Sequence, residues 1–267
     1  MDIKRRGKEE EMNIQKHLNR ISVLWLITLF LPVALVVLQA VPAKADDRLE
    51  ATQLVEKARL TVQNFMCDEK LGAFRDLIKK ADGVLIAPDL LKGAFIVGAS
   101  GGNAVLLVRD KNTGNWSEPA FYTIGGGSFG LQIGGQSSEV ILLAMTERGV
   151  SAFQSSSFKL GGDAGVAAGP VGIGVAASTA NFSADILSFS RSKGLYGGVS
   201  LDGSVVAKRD GLNRAYYGKE VSPTDILIRN DVKNPQAAGL IKTVDRLAGK
   251  QSTAMKVCAN QGGKSAG

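Results

Sequence analysis

The glycine-bearing stretch at residues 119–145 limits most strongly what this chain can fold into. Apolar runs at both of its ends flank a centre in which Phe129, Leu131 and Ile133 alternate with small or polar residues, a pattern typical of a strand with one buried face. Glycine on the other face weakens a strand unless another backbone approaches closely or the sheet bends. We therefore predict a curved antiparallel sheet whose glycine face is covered by another layer.

Ser128 stands at the centre of a Gly-x-Ser-x-Gly sequence at residues 126–130, which matches the nucleophile elbow of serine hydrolases. That elbow requires a strand before the serine, a helix after it and a histidine base. Here the following residues alternate like a strand, and the only histidine of the chain, His17, lies within the predicted export signal. We interpret these glycines as a bend and predict no catalytic residue, so an enzyme acting through Ser128 is the weakest of three functional hypotheses.

The glycine bias is confined to one segment, because 25 of the 32 glycines fall between residues 83 and 218. The same segment holds most of the Val, Ile and Leu runs, so it is not a disordered linker. Removal of the first 45 of the 267 residues leaves 222, a length typical of a single β-rich domain. We predict one domain at residues 46–250 and a disordered tail at residues 251–267.

The first 45 residues have the pattern of a secretory signal. Basic residues precede a charge-free run at residues 21–38, and Ala43 and Ala45 occupy the −3 and −1 positions of a cleavage site. The alternative is an uncleaved signal-anchor, because 18 apolar residues nearly cross a bilayer as a helix. Both readings predict an exported, periplasmic domain, attached to the inner membrane if the signal is retained.

Apolar residues at three- and four-residue steps predict an amphipathic helix at residues 48–65, with the stripe Ala51, Val55, Ala58, Val62 and Phe65. A second short helix is predicted at residues 72–81 and a last one at residues 235–247. The fold class is therefore α+β, a curved, glycine-rich antiparallel sheet with N-terminal amphipathic helices and a C-terminal helix. The favoured role of the first helix is packing on the sheet, and the alternative is contact with lipid.

Shorter patterns predict the local structure between these helices. Apolar runs bounded by glycine or proline predict strands at residues 83–88, 93–98 and 104–108. Residues 99–103 read as a glycine-rich turn, and Asp202-Gly203 reads as the turn of a hairpin. Residues 146–153 are compatible with a short helix.

The two cysteines, Cys67 and Cys258, lie at the end of the first predicted helix and in the tail. A disulfide between them is permitted outside the cytoplasm, and the sequence leaves open whether they pair. Two cysteines without a nearby histidine cannot form a typical zinc site, so we predict no metal and no cofactor. Three aspartates near glycines are read as turn residues rather than as cation ligands: Asp163, Asp185 and Asp202.

The formal charge of the chain is +7, of which +3 falls within residues 1–45. The remaining basic excess is mild and spread along the chain, which is compatible with binding to an anionic membrane surface. No arginine-rich block or basic-aromatic pattern is present, so nucleic acid is not an expected partner.

An ordered set of short motifs resembles the SYLF, or Ysc84-like, domain over roughly residues 50–230. The motifs that carry the resemblance lie at residues 119–122, 125–135, 165–172, 185–194, 198–203 and 215–218. A signal followed by one such domain is similar to exported bacterial members of the family.

The resemblance implies a non-enzymatic lipid-binding module. Eukaryotic relatives bind phosphoinositide membranes, partly through an amphipathic N-terminal helix, some bind actin, and they carry SH3 or FYVE modules that this chain lacks. We therefore expect an anionic lipid or membrane surface as partner, and an envelope structural or protein-interaction domain is the alternative. The lipid-binding residues proposed from the sequence are Lys57, Arg59, Arg75, Lys79 and Lys80.

Overall fold

The structure is a computed structural model that describes residues 47–94, 97–129, 134–172, 178, 183–192, 195–197, 201–249 and 258. The predicted signal and, apart from Cys258, the predicted tail lie outside the described residues. Residues 46–267 form a compact unit by themselves. None of the helices in the described ranges is both long enough and apolar enough to cross a membrane.

The described residues form six α-helices and one sheet of nine strands. The helices are α1 Asp47–Cys67, α2 Gly72–Leu77, α3 Glu147–Ala152, α4 Asp210–Tyr217, α5 Pro223–Leu227 and α6 Ala238–Ala248. The strands are β1 Gly83–Ala94, β2 Val97–Val108, β3 Ala120–Phe129, β4 Gly134–Ala144, β5 Ser157–Lys159, β6 Val166–Ala168, β7 Ile186–Ser192, β8 Leu195–Gly197 and β9 Val205–Lys208.

The sheet has the strand order β5-β9-β3-β2-β1-β4-β7-β6, and β8 also pairs with β7. All pairs are antiparallel except β6 with β7. The sheet is curled, with helices before and after it in the chain, which confirms the predicted α+β fold class.

Alternating side chains of the four long strands enter two separate cores. Val84 and Ile86 pack in the core that α1, α2, α4 and α6 cover, while Leu85 packs in the core beneath α3 and α5. Both faces of this part of the sheet are therefore buried. We call residues 83–87, 104–108, 120–124 and 140–144 the apolar half of these strands.

Pro88 does not end the first strand, contrary to the prediction. β1 runs through it to Ala94, and the pairing with β4 shifts by one residue between Ala87 and Leu90. This shift is a β-bulge, which tolerates a proline in a central strand because the residue needs no ladder hydrogen bond there. The strand predicted at residues 83–88 is therefore the first half of β1, whereas the one predicted at 93–98 falls on the end of β1 and the start of β2.

The predicted turn at residues 99–103 is also wrong, because these residues belong to β2. Glycine is needed here because the backbones of β1 and β2 approach closely, and not because the chain turns. A Cβ atom at Gly102 would lie 3.2 Å from the Cα atom of Leu90 and closer still to the carbonyl oxygen of Asp89. Gly102 therefore accommodates the bulge in β1.

Asp202-Gly203 forms a turn, with Gly203 at φ 82°, but not the predicted hairpin. The strands on its two sides lie in different parts of the sheet, since β8 pairs with β7 while β9 pairs with β3 and β5. The short helix predicted at residues 146–153 is present as α3, whose Thr146 side chain accepts a hydrogen bond from the Gly149 N–H at 3.1 Å.

The outer ends of the same four strands are poor in side chains. We call residues 89–94, 97–103, 125–129 and 134–138 the glycine half. Its residues at 99–102, 125–127 and 136–137 are half-buried or exposed, so the predicted covering layer does not extend over all of it. Ser204 does cover Gly126, where an added Cβ would meet the serine hydroxyl at 2.8 Å. The alternation predicted around Leu131 and Ile133 lies outside the described residues.

Candidate functional site

Helix α1 crosses the sheet with its predicted apolar stripe turned inward. All five members of the stripe are at most 1% exposed: Ala51, Val55, Ala58, Val62 and Phe65. Phe65 packs edge-to-face on Phe74, and Phe74 packs in the same way on Phe189 of β7, with ring centroids 5.3 Å apart in each pair. The first helix is therefore a core element of the folded domain, as the favoured prediction stated.

A row of polar side chains lies beneath α1, one on each of four adjacent strands. This polar row consists of Asn103 on β2, Asp89 on β1, Glu139 on β4 and Arg191 on β7. The row follows the boundary between the apolar half and the glycine half of the strands.

At one end of the polar row, Asn103 donates from Nδ2 to Glu50 of α1 at 2.6 Å. The ammonium group of Lys57 binds Asp89 in the bulge of β1 at 2.9 Å, and both side chains are more than half exposed. A surface ion pair of this kind contributes about 0–1 kcal/mol, so Lys57 can exchange Asp89 for another anion at little cost.

At the other end, Glu139 accepts from Asn64 of α1 at 2.7 Å and from Arg191 at 2.8 Å. Arg191 also lies 3.3 Å from the carboxylate of Asp68, the residue that follows α1. These side chains are largely shielded from solvent, and the contacts tie the C-terminal end of α1 to β4 and β7.

The five predicted lipid-binding residues do not form one free cationic patch. Arg59 binds Glu56 within α1, and Lys79 binds Asp76 at 2.9 Å. Arg75 donates to the backbone carbonyls of Met66 at 3.2 Å and Asp68 at 2.7 Å, so it holds the end of α1 in place. Lys80 is exposed at the end of the 3₁₀ turn Ile78–Lys80.

Two cations of α6 were missed by the sequence-based prediction. Lys242 and Arg246 are exposed at a four-residue step and have no ion pair within the described part of the chain. Helix α6 packs against α1 and against Ile78–Lys80. We call α1, Ile78–Lys80 and α6 the helical layer. The two cations of α6 therefore belong to the same layer as Lys79 and Lys80. The basic residues on the polar side of the last predicted helix were the signal that could have identified them.

Charge in the helical layer is nearly balanced before α6 is counted. Residues 47–82 contain seven basic and seven acidic side chains. Any preference of this layer for anions therefore depends on where the cations lie and on the contribution of α6, and not on a net charge of the first helices.

Ser128 lies inside β3, where it pairs with Gly98 of β2. Phe129 continues the same strand, so the serine does not occupy the strand-to-helix corner of a hydrolase elbow. Ser128 and Phe129 are therefore residues of a β-strand. His17 lies outside the described residues.

The sulfur atoms of Cys67 and Cys258 are 2.10 Å apart, and the bond joins the last residue of α1 to the C-terminal segment. Both cysteines pack against the core beneath α1. Whether the pair is oxidised in the protein as produced remains a prediction, which a thiol assay tests.

Two of the three aspartates considered as cation ligands accept hydrogen bonds within the fold. Asp185 accepts from the Thr146 hydroxyl at 2.7 Å and from the Gly165 N–H at 3.0 Å, and these contacts, the Thr146 bond foremost, lower the pKa of its carboxyl group. Asp163 accepts from the Lys159 N–H at 2.7 Å, and Asp202 adjoins Gly161. In the described ranges, no group of three or more acidic, cysteine or histidine side chains is arranged to hold a metal ion.

Comparison with known proteins identifies several that are similar to this chain. Residues 125–247 match the Ysc84 family, described as "Las17-binding protein actin regulator". The human SH3 domain-containing YSC84-like protein 1 is 33% identical over 176 residues, which is 65% of this chain and 51% of the human protein. Protein YSC84 of Saccharomyces cerevisiae is 32% identical over 181 residues, covering 66% of this chain and 37% of the yeast protein.

A second yeast relative, LAS seventeen-binding protein 3, is 32% identical over 156 residues, which is 57% of this chain and 34% of that protein. The chain thus spans about half the length of the vertebrate relatives it matches and about a third of the yeast ones. The family is associated with lipid and actin binding and is generally non-catalytic. These matches extend well beyond single glycine motifs and place the region at residues 125–247 in the Ysc84, or SYLF, domain family.

Proposed function

We propose that this domain is a non-catalytic module that binds an anionic lipid surface through the outer side of its helical layer. The observation that carries the proposal is the position of the cations: Lys57, Arg59, Lys79, Lys80, Lys242 and Arg246 all project from α1, Ile78–Lys80 or α6. The association of the family with lipid binding supports the same class of ligand.

Binding by the outer side is favoured over insertion of α1 because the apolar stripe of α1 is already buried. Withdrawal of Val55, Val62 and Phe65 from the core would cost about 1.5–3 kcal/mol for each side chain. It would also expose the core residues beneath the helix. The docked helix therefore meets a membrane with its outer side, where Leu49 and Leu60 are exposed beside the charged residues, and the attraction to anionic lipid is electrostatic.

The surface ion pairs leave the cations available to lipid. Lys57 and Lys79 hold exposed carboxylates through contacts that contribute about 0–1 kcal/mol each, and a basic residue near an anionic surface contributes about 1 kcal/mol. Several such residues hold a domain reversibly. Arg75 is excluded from the binding set because backbone carbonyls of Met66 and Asp68 occupy its guanidinium group.

Co-sedimentation of residues 46–267 with anionic and neutral vesicles tests the proposal, since the charge-free run at 21–38 would itself bind lipid. We expect binding to anionic vesicles only, weakened by salt. The double variant Lys79→Ala with Arg246→Ala should bind roughly 30-fold more weakly. Lys159→Ala, on the edge strand β5, is the matched control and should bind as the parent does. Binding without anionic preference or without salt dependence would contradict the proposal.

Action outside the cytoplasm is part of the proposal, because the pattern of residues 1–45 is that of an export signal. N-terminal sequencing of the protein recovered from the periplasm of a bacterial host tests this point. Cleavage after Ala45 supports export, and an intact N-terminus in the cytoplasmic fraction contradicts it.

A protein-interaction module is the second candidate. The names of the family and of one yeast relative favour it because they describe binding to another protein. Capture of a defined envelope protein by a domain that ignores both kinds of vesicle would favour this candidate over lipid binding.

A further inference from the structure

A cavity beside α6 has features that the basic outer surface does not explain. Its volume is about 520 Å³, within the range typical of small-ligand sites. Residues 115–118 between β2 and β3, residues 233–235 and one side of α6 form its walls. We call it the α6 cavity.

Glu118 contributes a carboxylate to the α6 cavity that is incompletely satisfied. The side chain is half-buried, and burial raises the pKa of its carboxyl group. One oxygen accepts from the Asn234 N–H at 3.2 Å. Lys233 on the same wall partly offsets the rise in pKa by its positive charge, but within the described ranges it forms no ion pair with Glu118. An ionised carboxylate offers about four acceptor positions, so most of its capacity for donors remains unused.

Trp116 is a second group on the wall of the α6 cavity with unused polar capacity. The residue is only 7% exposed, and its indole N–H has no acceptor among the residues that the structure describes. Buried tryptophan N–H groups ordinarily find an acceptor. The guanidinium carbon of Arg109 lies 6.0 Å from the centre of its ring.

The remaining walls combine apolar and charged groups. Ile241 and Pro235 provide apolar surface, Lys242 adds an ammonium group that has no ion pair in the described part of the chain, and Asp245 adds a second carboxylate. A complementary ligand is therefore short, carries N–H donors for Glu118 and carries an anionic group for Lys242.

We propose that the α6 cavity binds a phosphoethanolamine group, with its primary ammonium at Glu118 and its phosphate towards Lys242. A quaternary ammonium group has no N–H to donate to the carboxylate, so phosphocholine fits less well. The group is either a free small molecule or the headgroup of a phospholipid. This inference goes beyond the proposed electrostatic surface and does not depend on it.

Calorimetric titration of residues 46–267 with O-phosphoethanolamine, and separately with phosphocholine, tests the inference. We expect measurable binding of the first ligand and binding at least about tenfold weaker for the second, as expected for loss of a charge-assisted hydrogen bond. Glu118→Gln removes the negative charge at nearly constant shape and should weaken phosphoethanolamine binding by about tenfold or more. Glu220→Gln, which removes an exposed carboxylate outside the cavity, should leave it unchanged.

Vesicles distinguish the two sources of the ligand. The ligand is the lipid headgroup if the domain binds phosphatidylcholine vesicles more strongly when they contain phosphatidylethanolamine, and if free phosphoethanolamine reverses this binding. Binding of the free molecule alone assigns a soluble ligand.

Absence of binding in every arm, or equal binding by Glu118→Gln and the parent with unchanged thermal unfolding, overturns the inference. Salt-sensitive binding to anionic vesicles that survives Glu118→Gln leaves the proposed function intact, so the two failures are distinguishable.

Discussion

The two halves of the long strands β1 to β4 share one ladder of backbone hydrogen bonds but differ in what covers them. In the apolar half, Ile86 and Leu106 are completely buried between two layers. In the glycine half, Leu91 is 60% exposed, and Gly101 would meet no atom closer than 3.7 Å with an added Cβ. The polar row under α1 runs along the border between them.

This difference separates pairing from burial as sources of stability. Cross-strand pairing continues from Gly83 to Ala94 with a single bulge, so it does not depend on side-chain size. Burial of apolar surface contributes about 25 cal/mol per Å², and it is concentrated in the apolar half. The strand register of the glycine half is therefore set by the apolar half. We expect the backbone amides of the glycine half to exchange hydrogen faster than those of the apolar half.

Reduction of the disulfide should have the largest effect, because the bond anchors the layer that covers the apolar half. Cys67 and Cys258 are separated by 191 positions, and closing a loop of that length stabilises the folded state by about 5 kcal/mol in the chain-entropy model. We expect reductant to lower the free energy of unfolding by up to this amount in denaturant titrations. The Cys67→Ser with Cys258→Ser variant should be insensitive to reductant.

Thiol labelling followed by mass spectrometry is the control for that experiment. Equal labelling of Cys67 and Cys258 with and without reductant would show that they are not paired in the isolated protein. The first helix would then be held by its core contacts and the polar row alone.

Truncation of a core side chain in the layer that covers the apolar half can be compared with truncation of a side chain in the glycine half. Phe74 is completely buried between Phe65 and Phe189, so Phe74→Ala should lower the free energy of unfolding by about 3–5 kcal/mol. The matched change in the glycine half, Leu91→Ala, should alter it by no more than about 0.5 kcal/mol because the side chain is exposed. Similar losses from both variants in urea titrations would refute the division into two halves.

Two neighbouring glycines give the smallest and most local comparison. Gly102→Ala forces a methyl group against the Asp89 carbonyl and should cost about 1–3 kcal/mol. Gly101→Ala meets only ordinary contacts and should be close to neutral. Thermal unfolding of the two variants measures the difference, and equal midpoints would mean that the bulge yields to the added methyl group.

Much of this architecture was predictable because it follows from local patterns. The stripe of α1 at three- and four-residue steps, the last helix after Pro235 and the glycine-bearing strands around residues 119–145 were all identified from periodicity and composition. Helix α4 was missed, and its sequence contains Gly211 and Asn213, which are poor helix formers. Its stability comes from tertiary contacts, since the buried Asn213 side chain accepts a hydrogen bond from the Phe121 N–H at 2.9 Å.

The candidate surface was predictable only in part. The basic residues of the first helices were recognisable from the sequence, but their ion-pair partners were not. Asp89, which binds Lys57 from 32 positions away, is brought into reach by the bulge at Pro88. The α6 cavity combines residues 115–118 with residues 233–245, and no local pattern links these two segments.

The sequence by itself determined the class of this protein: a glycine-rich β domain between amphipathic helices, of the SYLF type. These properties depend on periodicity, composition and motif order, which act within a few residues of one another. Only the tertiary structure decided that proline lies inside a central strand, that one half of the sheet is left largely bare, and which cations already hold partners. Each of those outcomes depends on contacts between distant segments, whose geometry is set by packing rather than by the local chain.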